Sequence, residues 1–467
     1  MRVYFILVMA MFFAAITDAI FIKNCAASWD MQPTLEMSED YTDNVDLIPH
    51  GLEKSEYITR LSPQLNLAVT GVRTRLDLGY RYERLFYKND SSKNTGYHQA
   101  DVKLFRKLYK NWLFIDALGN YNQQVINQGQ TENIDNVFVT GNRTDVVSYN
   151  VSPYAKFKIG DEIDSELRTS YGEVKYRRNP EFDSEVTSDS ITLQRPPQVG
   201  PFGWSFRYQT SRIKAKNNQT TELKSGSAET IYRITQHYHV FIGALYEGNK
   251  FDQQLIGPST NGTFIYGGYR WKPNGRARVE MSCGERFFGN SCTATVENRS
   301  RFTTLSANYK KEVETAAQRQ IAALTQNVST GEISTVQFLT NEIYITRKWD
   351  VTAAYTLYRS DFGIGYYNED IEFQSDSRKE SLEGANVYWA RRVSRRTNFN
   401  ASYTWEKRGF SSTGELSKTG LAEVRLTHSL RRSMTGTAYY QYRKKSSNVE
   451  SARYQANLLG VSVAIRF

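Results

Sequence analysis

The stretch that decides the fold is the carboxyl-terminal segment Leu459-Gly-Val-Ser-Val-Ala-Ile-Arg-Phe467. Its apolar residues alternate with small or polar residues without a break, and its last residue is aromatic. Because successive side chains of a β-strand point to opposite faces, one face of this segment suits lipid and the other suits water. The segment therefore predicts a strand of a membrane-embedded barrel. Phe467 at the end of such a strand resembles the recognition signal that membrane barrels present to the barrel assembly machinery.

The amino-terminal end carries the features of a secretory signal peptide. A short basic start is followed by an apolar stretch over residues 3–15. Asp18 and Lys23 interrupt the apolar run, which leaves it too short for a membrane span of about 20 residues. This segment therefore predicts export and not a membrane anchor.

Cleavage of this signal is expected after Ala27, so that residues 1–27 form the signal peptide and 28–467 the mature chain. Cleavage after Ala19 is the alternative. Cys25 invites a lipoprotein interpretation, but Lys and Asn precede it where such a site needs small residues.

Composition favours a strand-rich membrane protein over a helical one. The 467 residues are 40% hydrophobic with a mean hydropathy of −0.57, and no later apolar run reaches helix-spanning length. Barrel strands show only every second residue to lipid, so their average hydropathy is low. The 31 Tyr and 24 Phe are sufficient for aromatic girdles at both bilayer interfaces, although a soluble sugar-binding β-protein could be equally rich in them.

The net charge of +10 does not indicate a nucleic-acid partner. Basic residues are scattered along the alternating segments and are opposed by 49 acidic residues. Local basic pairs, such as Arg391-Arg392 and Arg431-Arg432, fall at predicted turns. There they would meet anionic head groups, including the phosphates of lipopolysaccharide. We therefore expect outer-membrane lipid and lipopolysaccharide as partners, and no nucleic acid.

Alternating segments continue along the mature chain and predict an antiparallel up-and-down β-barrel. Residues 277–283, 351–357 and 398–405 each keep a period of two. Counting gives 22 strands from Trp29 to Phe467, with boundary errors allowing 18 or 20. An even number satisfies the closure rule of bacterial barrels. No linker divides the chain, so residues 28–467 are expected to form one all-β transmembrane barrel in the bacterial outer membrane.

Short turns alternate with longer connections, which is the asymmetry between the periplasmic and extracellular ends of such barrels. Tight periplasmic turns are predicted at Gly71, 109–111, 160–161, 198–201, 273–275, 347–348, 393–394 and 431–433. Longer extracellular loops are predicted at 41–54, 122–143, 179–186, 250–260, 311–335, 361–378 and 410–418.

Charge placement fixes which face of each strand points inward. An Arg or Lys that faces lipid near the bilayer centre costs about 2–4 kcal/mol, and Asp and Glu cost less. In residues 75–83 one phase puts four charged side chains inside, whereas the opposite phase would cost on the order of 10 kcal/mol. The same reasoning applies to 277–286 and 398–406. The predicted pore-lining residues are Arg75, Asp77, Arg81, Glu83, Arg278, Glu280, Arg286, Asn398, Asn400 and Glu406.

A barrel of 22 strands is too wide for its own side chains to fill, so it holds either water or a plug. No segment is large enough for a plug domain, which favours a water-filled channel. Residues 312–326 are rich in Ala, Gln, Glu and Leu and predict a short helix within a loop. This helix could fold inward and constrict the pore, or it could lie exposed with no role in transport.

No catalytic or cofactor-binding motif is recognisable in the sequence. His237 and His239 share one face of a strand but have no identifiable third ligand, and the other three histidines lack a nucleophile or acid partner in a recognisable arrangement. There is no Gly-rich phosphate loop, nucleophile elbow or zinc spacing. We therefore expect no enzyme activity, no cofactor and no metal site.

Cys283 and Cys292 flank turn residues that join two predicted strands. An exported chain matures in an oxidising compartment, and these two cysteines are the pair left after signal removal. A disulfide across the hairpin is expected, and the alternative is that both stay reduced. Redox catalysis is not indicated, because there is no Cys-x-x-Cys motif.

Several short elements, taken in order, resemble a known family. They are Trp29, Pro33, 41–44, Ser62-Pro63, Tyr80-Arg-Tyr82, Tyr269-Arg-Trp271, Gly284-Glu-Arg-Phe-Phe-Gly289 and Phe467. Over nearly the whole mature chain they resemble the outer-membrane β-barrels associated with the PEP-CTERM and exosortase system of exopolysaccharide-producing bacteria. Cys283 and Cys292 are not features of that family. The resemblance implies a link to exopolysaccharide export and polysaccharide as a partner.

The residues and the resemblance together predict a porin-like outer-membrane channel for saccharide passage or exopolysaccharide export. Lumenal Arg, Asp, Glu, Asn and Tyr side chains suit hydrogen bonding to sugar hydroxyls. The alternative is a non-conducting structural barrel whose surface loops dock polymer or partner proteins.

Overall fold

The computed structural model describes residues 28–126, 135–197, 200–217, 219–252, 260–324 and 339–467. The predicted signal peptide, 1–27, lies outside the described residues, as do parts of the predicted connections at 122–143, 198–201, 250–260 and 311–335. The described residues form a closed antiparallel barrel of 22 long strands.

The strands run in chain order around the barrel, and β12 is a two-residue strand that pairs with β10 beyond the end of β11. They are β1 (Ser28–Thr42), β2 (Glu56–Thr70), β3 (Thr74–Tyr87), β4 (Thr95–Tyr109), β5 (Leu113–Val125), β6 (Arg143–Ile159), β7 (Ile163–Tyr176), β8 (Ser184–Arg195), β9 (Phe202–Ala215), β10 (Thr220–Arg233), β11 (Tyr238–Glu247), β12 (Lys250–Phe251), β13 (Gly262–Asn274), β14 (Ala277–Arg286), β15 (Gly289–Arg299), β16 (Thr303–Thr315), β17 (Ile343–Thr356), β18 (Ser360–Phe373), β19 (Lys379–Arg392), β20 (Thr397–Phe410), β21 (Glu415–Arg431), β22 (Met434–Ser447) and β23 (Tyr454–Arg466). Helix α1 (Ala316–Ala323) lies between β16 and β17, and short 3-10 helices occupy Ser91–Lys93, Pro180–Phe182 and Glu450–Ala452.

Pairing of the first strand with the last closes the barrel. β1 pairs with β2 along its whole length and with β23 from Thr34↔Arg466 to Thr42↔Leu458. This pairing removes the open edges that the first and last strands would otherwise present, which is the condition for strands to span a membrane. The predicted fold and the predicted count of 22 strands are confirmed.

The terminal strand shows how the two faces differ. Leu459 and Val461 are 57% and 59% exposed on the outside of the barrel, whereas Ala456 and Leu458 are each 1% exposed inside. Strand periodicity carries this division around the barrel, so exposed aliphatic and aromatic side chains cover the exterior. Among the described residues, no helix has the length and apolar character needed to cross a membrane.

Most predicted turns fall where the structure has them, but two boundaries are wrong. Arg347 and Lys348 lie inside β17, and the turn comes later, at 357–359. Residues 361–373 belong to β18, so the predicted loop at 361–378 shrinks to 374–378. The charged residues were misleading because these strands continue past the apolar band: Arg347 and Asp370 form an exposed ion pair on the exterior face.

Two further predicted loops are shorter than expected. β20 extends to Phe410 and β21 begins at Glu415, so the connection there is only 411–414. The connection predicted to begin at residue 311 begins instead after Thr315, because β16 pairs with β17 up to Thr315↔Ile343.

Candidate functional site

The register places all the predicted pore-lining residues on the lumenal face of their strands. On β3, Arg81 contacts Glu83 at 3.2 Å, and Arg75 contacts Asp77 at 3.3 Å along the same face. On β20, Asn398, Asn400 and Glu406 share one face by the period of two. The Tyr367 hydroxyl donates a hydrogen bond to Glu406 at 2.6 Å.

Charged side chains of both signs pair with each other on the lumenal wall, both within one strand and between strands. Arg270 of β13 lies between Glu229 of β10, at 2.9 Å, and Glu280 of β14, at 3.0 Å. Arg278 contacts Glu280 at 2.6 Å, and Arg286 pairs with Glu247 of β11. The lumen wall is therefore polar and charge-paired, which suits contact with water and polar solutes.

The connection between β5 and β6 folds into the lumen; its described residues, 135–142, are called the loop insert. Asp135 accepts a hydrogen bond from Arg60 Nη1 at 3.3 Å, and Asn136 donates to Glu83. Arg143 Nη1 donates to Asn136 Oδ1 at 2.7 Å. These contacts fasten the insert to the wall formed by β2, β3 and β6.

An apolar cluster fixes the same insert from its other side. Val137 is 0% exposed and Phe138 is 2% exposed. They pack in one core with apolar lumenal residues near the outer ends of β2, β3, β22 and β23, and with the β1–β2 connection: Val45, Leu47, Ile58, Leu85, Tyr87, Tyr439, Tyr454, Ala456 and Leu458. Burying a Val or Phe side chain contributes about 1.5–3 kcal/mol. The extracellular half of the lumen therefore provides an apolar surface against which this insert packs.

A second connection also enters the lumen; residues 316–324, which include α1, are called the helix insert. The Thr315 hydroxyl caps the helix by accepting from the Gln318 backbone N–H at 3.3 Å. Arg319 donates to Glu314 at 2.7 Å and to Glu369 at 2.5 Å. Burial acts to lower the pKa of the Arg319 guanidinium, but the neighbouring Tyr344, Glu369 and Glu314 outweigh it and raise that pKa, so the helix carries a fixed positive charge.

The far side of the helix insert contacts another part of the wall. Gln318 Nε2 donates to Ser211 Oγ of β9 at 3.4 Å. A Cβ at Gly172 of β7 would lie 2.7 Å from Ile321 Cδ1, so a larger residue there would force the Ile321 side chain to move. Ala317 packs in a core with Val146, Val174, Tyr176, Val186 and Ile213. The helix therefore lies inside the lumen and connects β16–β18 with β6–β9; it is not exposed on the outer surface.

The strands that lead into the inserts separate from the strands before them. β4 extends to Thr95 and β5 to Val125, but their pairing stops at Ala100↔Tyr121. The Gln123 side chain bridges the gap, donating to the His98 carbonyl oxygen at 3.0 Å.

The same pattern occurs at β16, which leads into the helix insert. Its pairing with β15 stops at Thr293↔Lys310, although both strands continue. There the Lys311 ammonium donates to the carbonyl oxygens of Phe288, at 3.1 Å, and Asn290, at 3.2 Å. We call these two places, where the backbone pairing of neighbouring strands stops, seams. At both seams side chains supply the hydrogen-bond partners that backbone pairing no longer provides.

Cys283 and Cys292 lie directly opposite each other on β14 and β15, with their Cα atoms 4.1 Å apart, and form a disulfide. Alternation places them on the exterior side of the hairpin, away from the inserts. The disulfide therefore belongs to the barrel wall and not to the candidate site.

The helix of the helix insert was predictable from the sequence, whereas the loop insert was not predicted. The available signal was the apolar run 137–139, Val-Phe-Val, inside an otherwise polar connection. An exposed loop has no reason to carry three consecutive large apolar residues, so this run was a detectable sign of inward packing.

The closed barrel with an apolar exterior and a polar, charge-paired lumen decides the location of the chain. The protein is an outer-membrane β-barrel. Neither the protein-family models nor the curated proteins contain a match to this chain. Solved structures of outer-membrane proteins do match it.

Two of these structures show the extent of the similarity. The siderophore receptor PirA from Acinetobacter baumannii is 9% identical, with a TM-score of 0.52, over 94% of this chain and 80% of that chain. The FrpB iron transporter from Neisseria meningitidis (F3-3 variant) is also 9% identical, with a TM-score of 0.52, over 94% of this chain and 82% of that chain. At this identity the similarity shows the fold and not the ligand.

Proposed function

We propose that this protein is a porin-like channel for polar solutes whose outer half is closed at rest by the loop insert and the helix insert. The observation that supports this proposal is the kind of structure that narrows the lumen. A lumen of this width holds either water or a plug, and in the described part of the chain it is narrowed by two short connections and not by a folded plug domain. Short connections can leave the lumen without unfolding the barrel.

Saccharides are the proposed cargo, and exopolysaccharide export is the proposed context. Paired lumenal carboxylates, guanidinium groups, amides and tyrosines offer both donors and acceptors, which sugar hydroxyls need. The export context comes from the sequence resemblance to exopolysaccharide-associated barrels. We propose passive transport without catalysis, with lipopolysaccharide and the assembly machinery as partners.

A non-conducting barrel that docks polymer or partner proteins is the second candidate. The observation that favours it is how firmly the inserts are held. Arg319 is buried and the Arg60 side chain is only 11% exposed, each contacts more than one carboxylate, and both inserts also have apolar cores. If these contacts never break, the lumen stays closed.

Removing the inserts separates the two candidates, and the register permits it. Val125 pairs directly with Arg143, and Thr315 with Ile343, so a two-residue turn can replace residues 126–142 or 316–342. Liposome swelling would be compared for arabinose, maltose and maltotetraose. We expect the variant without both inserts to admit all three sugars and the natural protein to admit them slowly. A correctly folded variant that excludes even arabinose would refute the channel.

A further inference from the structure

A polar cavity of about 220 Å³ lies in the lumen beneath the loop insert. Charged and amide side chains from β2 to β6 and from the insert line it, among them Arg60, Arg81, Glu83, Gln99, Gln123 and Asp135. Arg81 and Gln99 face each other in the β3–β4 ladder, farther from the outer strand ends than Glu83. The loop insert therefore bounds the cavity on its extracellular side.

The seam between β4 and β5 accounts for the cavity. Their backbone pairing ends at Ala100↔Tyr121, so the wall next to Gln99 is completed by the Gln123 side chain and not by a ladder. The contact between Gln99 Nε2 and Gln123 Oε1 is long, at 3.4 Å. Gln99 therefore holds hydrogen-bonding capacity that its neighbours use only weakly.

Arg81 adds an unused donor. Its Nη2 atom contacts Glu83 at 3.2 Å and Ser62 Oγ at 3.5 Å. Its Nε atom is buried and has no hydrogen-bond partner among the described residues. That atom has almost no accessible surface, so a bound hydroxyl oxygen would instead contact the Nη atoms of Arg81, whose side chain is 34% exposed and whose Nη1 forms no hydrogen bond with the described residues.

The charges around the cavity do not favour a charged ligand. Arg60 is already shared by Asp40 at 2.8 Å, Glu83 at 3.2 Å and Asp135 at 3.3 Å. Arg81 likewise lies between Glu83 and Glu36. The guanidinium, carboxylate and amide groups of the lining offer both hydrogen-bond donors and acceptors, and their charges compensate each other. Such a lining suits a neutral ligand with many hydroxyl groups.

We infer that this cavity binds one unit of a neutral saccharide. This inference rests on the proposed channel function and adds to it a binding site below the loop insert and the neutral charge of the saccharide. Arg81 and Gln99 supply the donors and acceptors that contact the sugar hydroxyls, and the balanced carboxylates accept from them.

Isothermal titration calorimetry on the refolded mature barrel in lauryldimethylamine oxide, a detergent without a sugar head group, tests the site. The probes are maltotetraose and cellotetraose, with an oligogalacturonate as the charged comparison. Gln99→Leu and Arg81→Met are each expected to weaken neutral-oligosaccharide binding about ten-fold or more, because they leave hydroxyls or buried groups unpaired. The matched controls Gln209→Leu and Arg207→Met, on the lumenal face of β9, are expected to bind like the natural protein.

The site is overturned if neither neutral oligosaccharide binds, if only the oligogalacturonate binds, or if the cavity variants bind like their β9 controls. Heat-modifiable migration of each variant on a gel checks that it is folded. Because binding is measured in detergent without transport, the two proposals can fail separately. A barrel that binds sugar and never conducts keeps the site and loses the channel, and a conducting barrel without binding does the reverse.

Discussion

Replacing Arg319 with Met is expected to release the helix insert from the lumen. Arg319 is 8% exposed and Glu369 is 1% exposed, so the ion pair between them is shielded from water. Removing one partner of a buried pair costs about 3–5 kcal/mol, because the other charge is left without compensation. At about 1.4 kcal/mol per factor of ten, the undocked fraction should rise between about a hundred-fold and a few thousand-fold.

Cysteine labelling measures this fraction directly. Ala317, which is 6% exposed in its seat, would be replaced by Cys and treated with a polyethylene glycol maleimide. The native disulfide does not react, so only the helix insert reports. The labelling rate should rise with the undocked population, by about a hundred-fold or more in the Arg319→Met background.

Arg347→Met is the matched control. Arg347 also pairs with a carboxylate, Asp370, but both side chains are exposed on the outside of the barrel, at 58% and 39%. Such a pair contributes only about 0–1 kcal/mol, so the labelling rate should not change. Equal labelling rates for Arg319→Met and the natural sequence would refute the account of how the helix insert is held.

Three further predictions concern the barrel wall. Changing Cys283 and Cys292 to Ser should lower the free energy of unfolding by about 2–3 kcal/mol, as expected for a short closed loop, which urea titration monitored by gel migration would detect; no change would show that the bond does not stabilise the wall. Ala401→Arg, facing lipid, should cost about 2–4 kcal/mol in the same assay, whereas Ser402→Arg, facing the lumen, should cost less than about 1 kcal/mol, and similar costs would contradict the assigned faces. Arg278→Glu in the variant without inserts should shift ion selectivity toward cations, measured as the reversal potential in a salt gradient, and an unchanged potential would remove Arg278 from the conducting path.

Strand phase was predictable from the sequence because the penalty for a charge in lipid is large. Only one orientation of the segment 75–83 keeps its charged side chains out of lipid. The structure places Arg81 and Glu83 in the lumen, with partners on β1 and β2. Turn positions were less predictable where strands outrun the bilayer. Asp370 and Arg347 form an ion pair outside the apolar band. Charged residues at these positions therefore belonged to strands and did not indicate a loop.

The candidate site depends on contacts between residues that are far apart in the sequence. The helix within 312–326 was predicted from composition, but its direction was not, because Gly172 and Ser211 are more than a hundred residues away. The loop insert rests on pairing between Asp135 and Arg60 and on a core shared with β22 and β23. Such long-range partners are fixed by barrel closure, which no local pattern encodes.

Single-channel conductance in planar bilayers tests the central claim most directly, using the natural mature protein and the variant whose residues 126–142 and 316–342 are replaced by two-residue turns. We predict small or rare conductance steps for the natural protein and large, stable steps for the variant. A folded variant that does not conduct, or a natural protein that conducts as well as the variant, would contradict it.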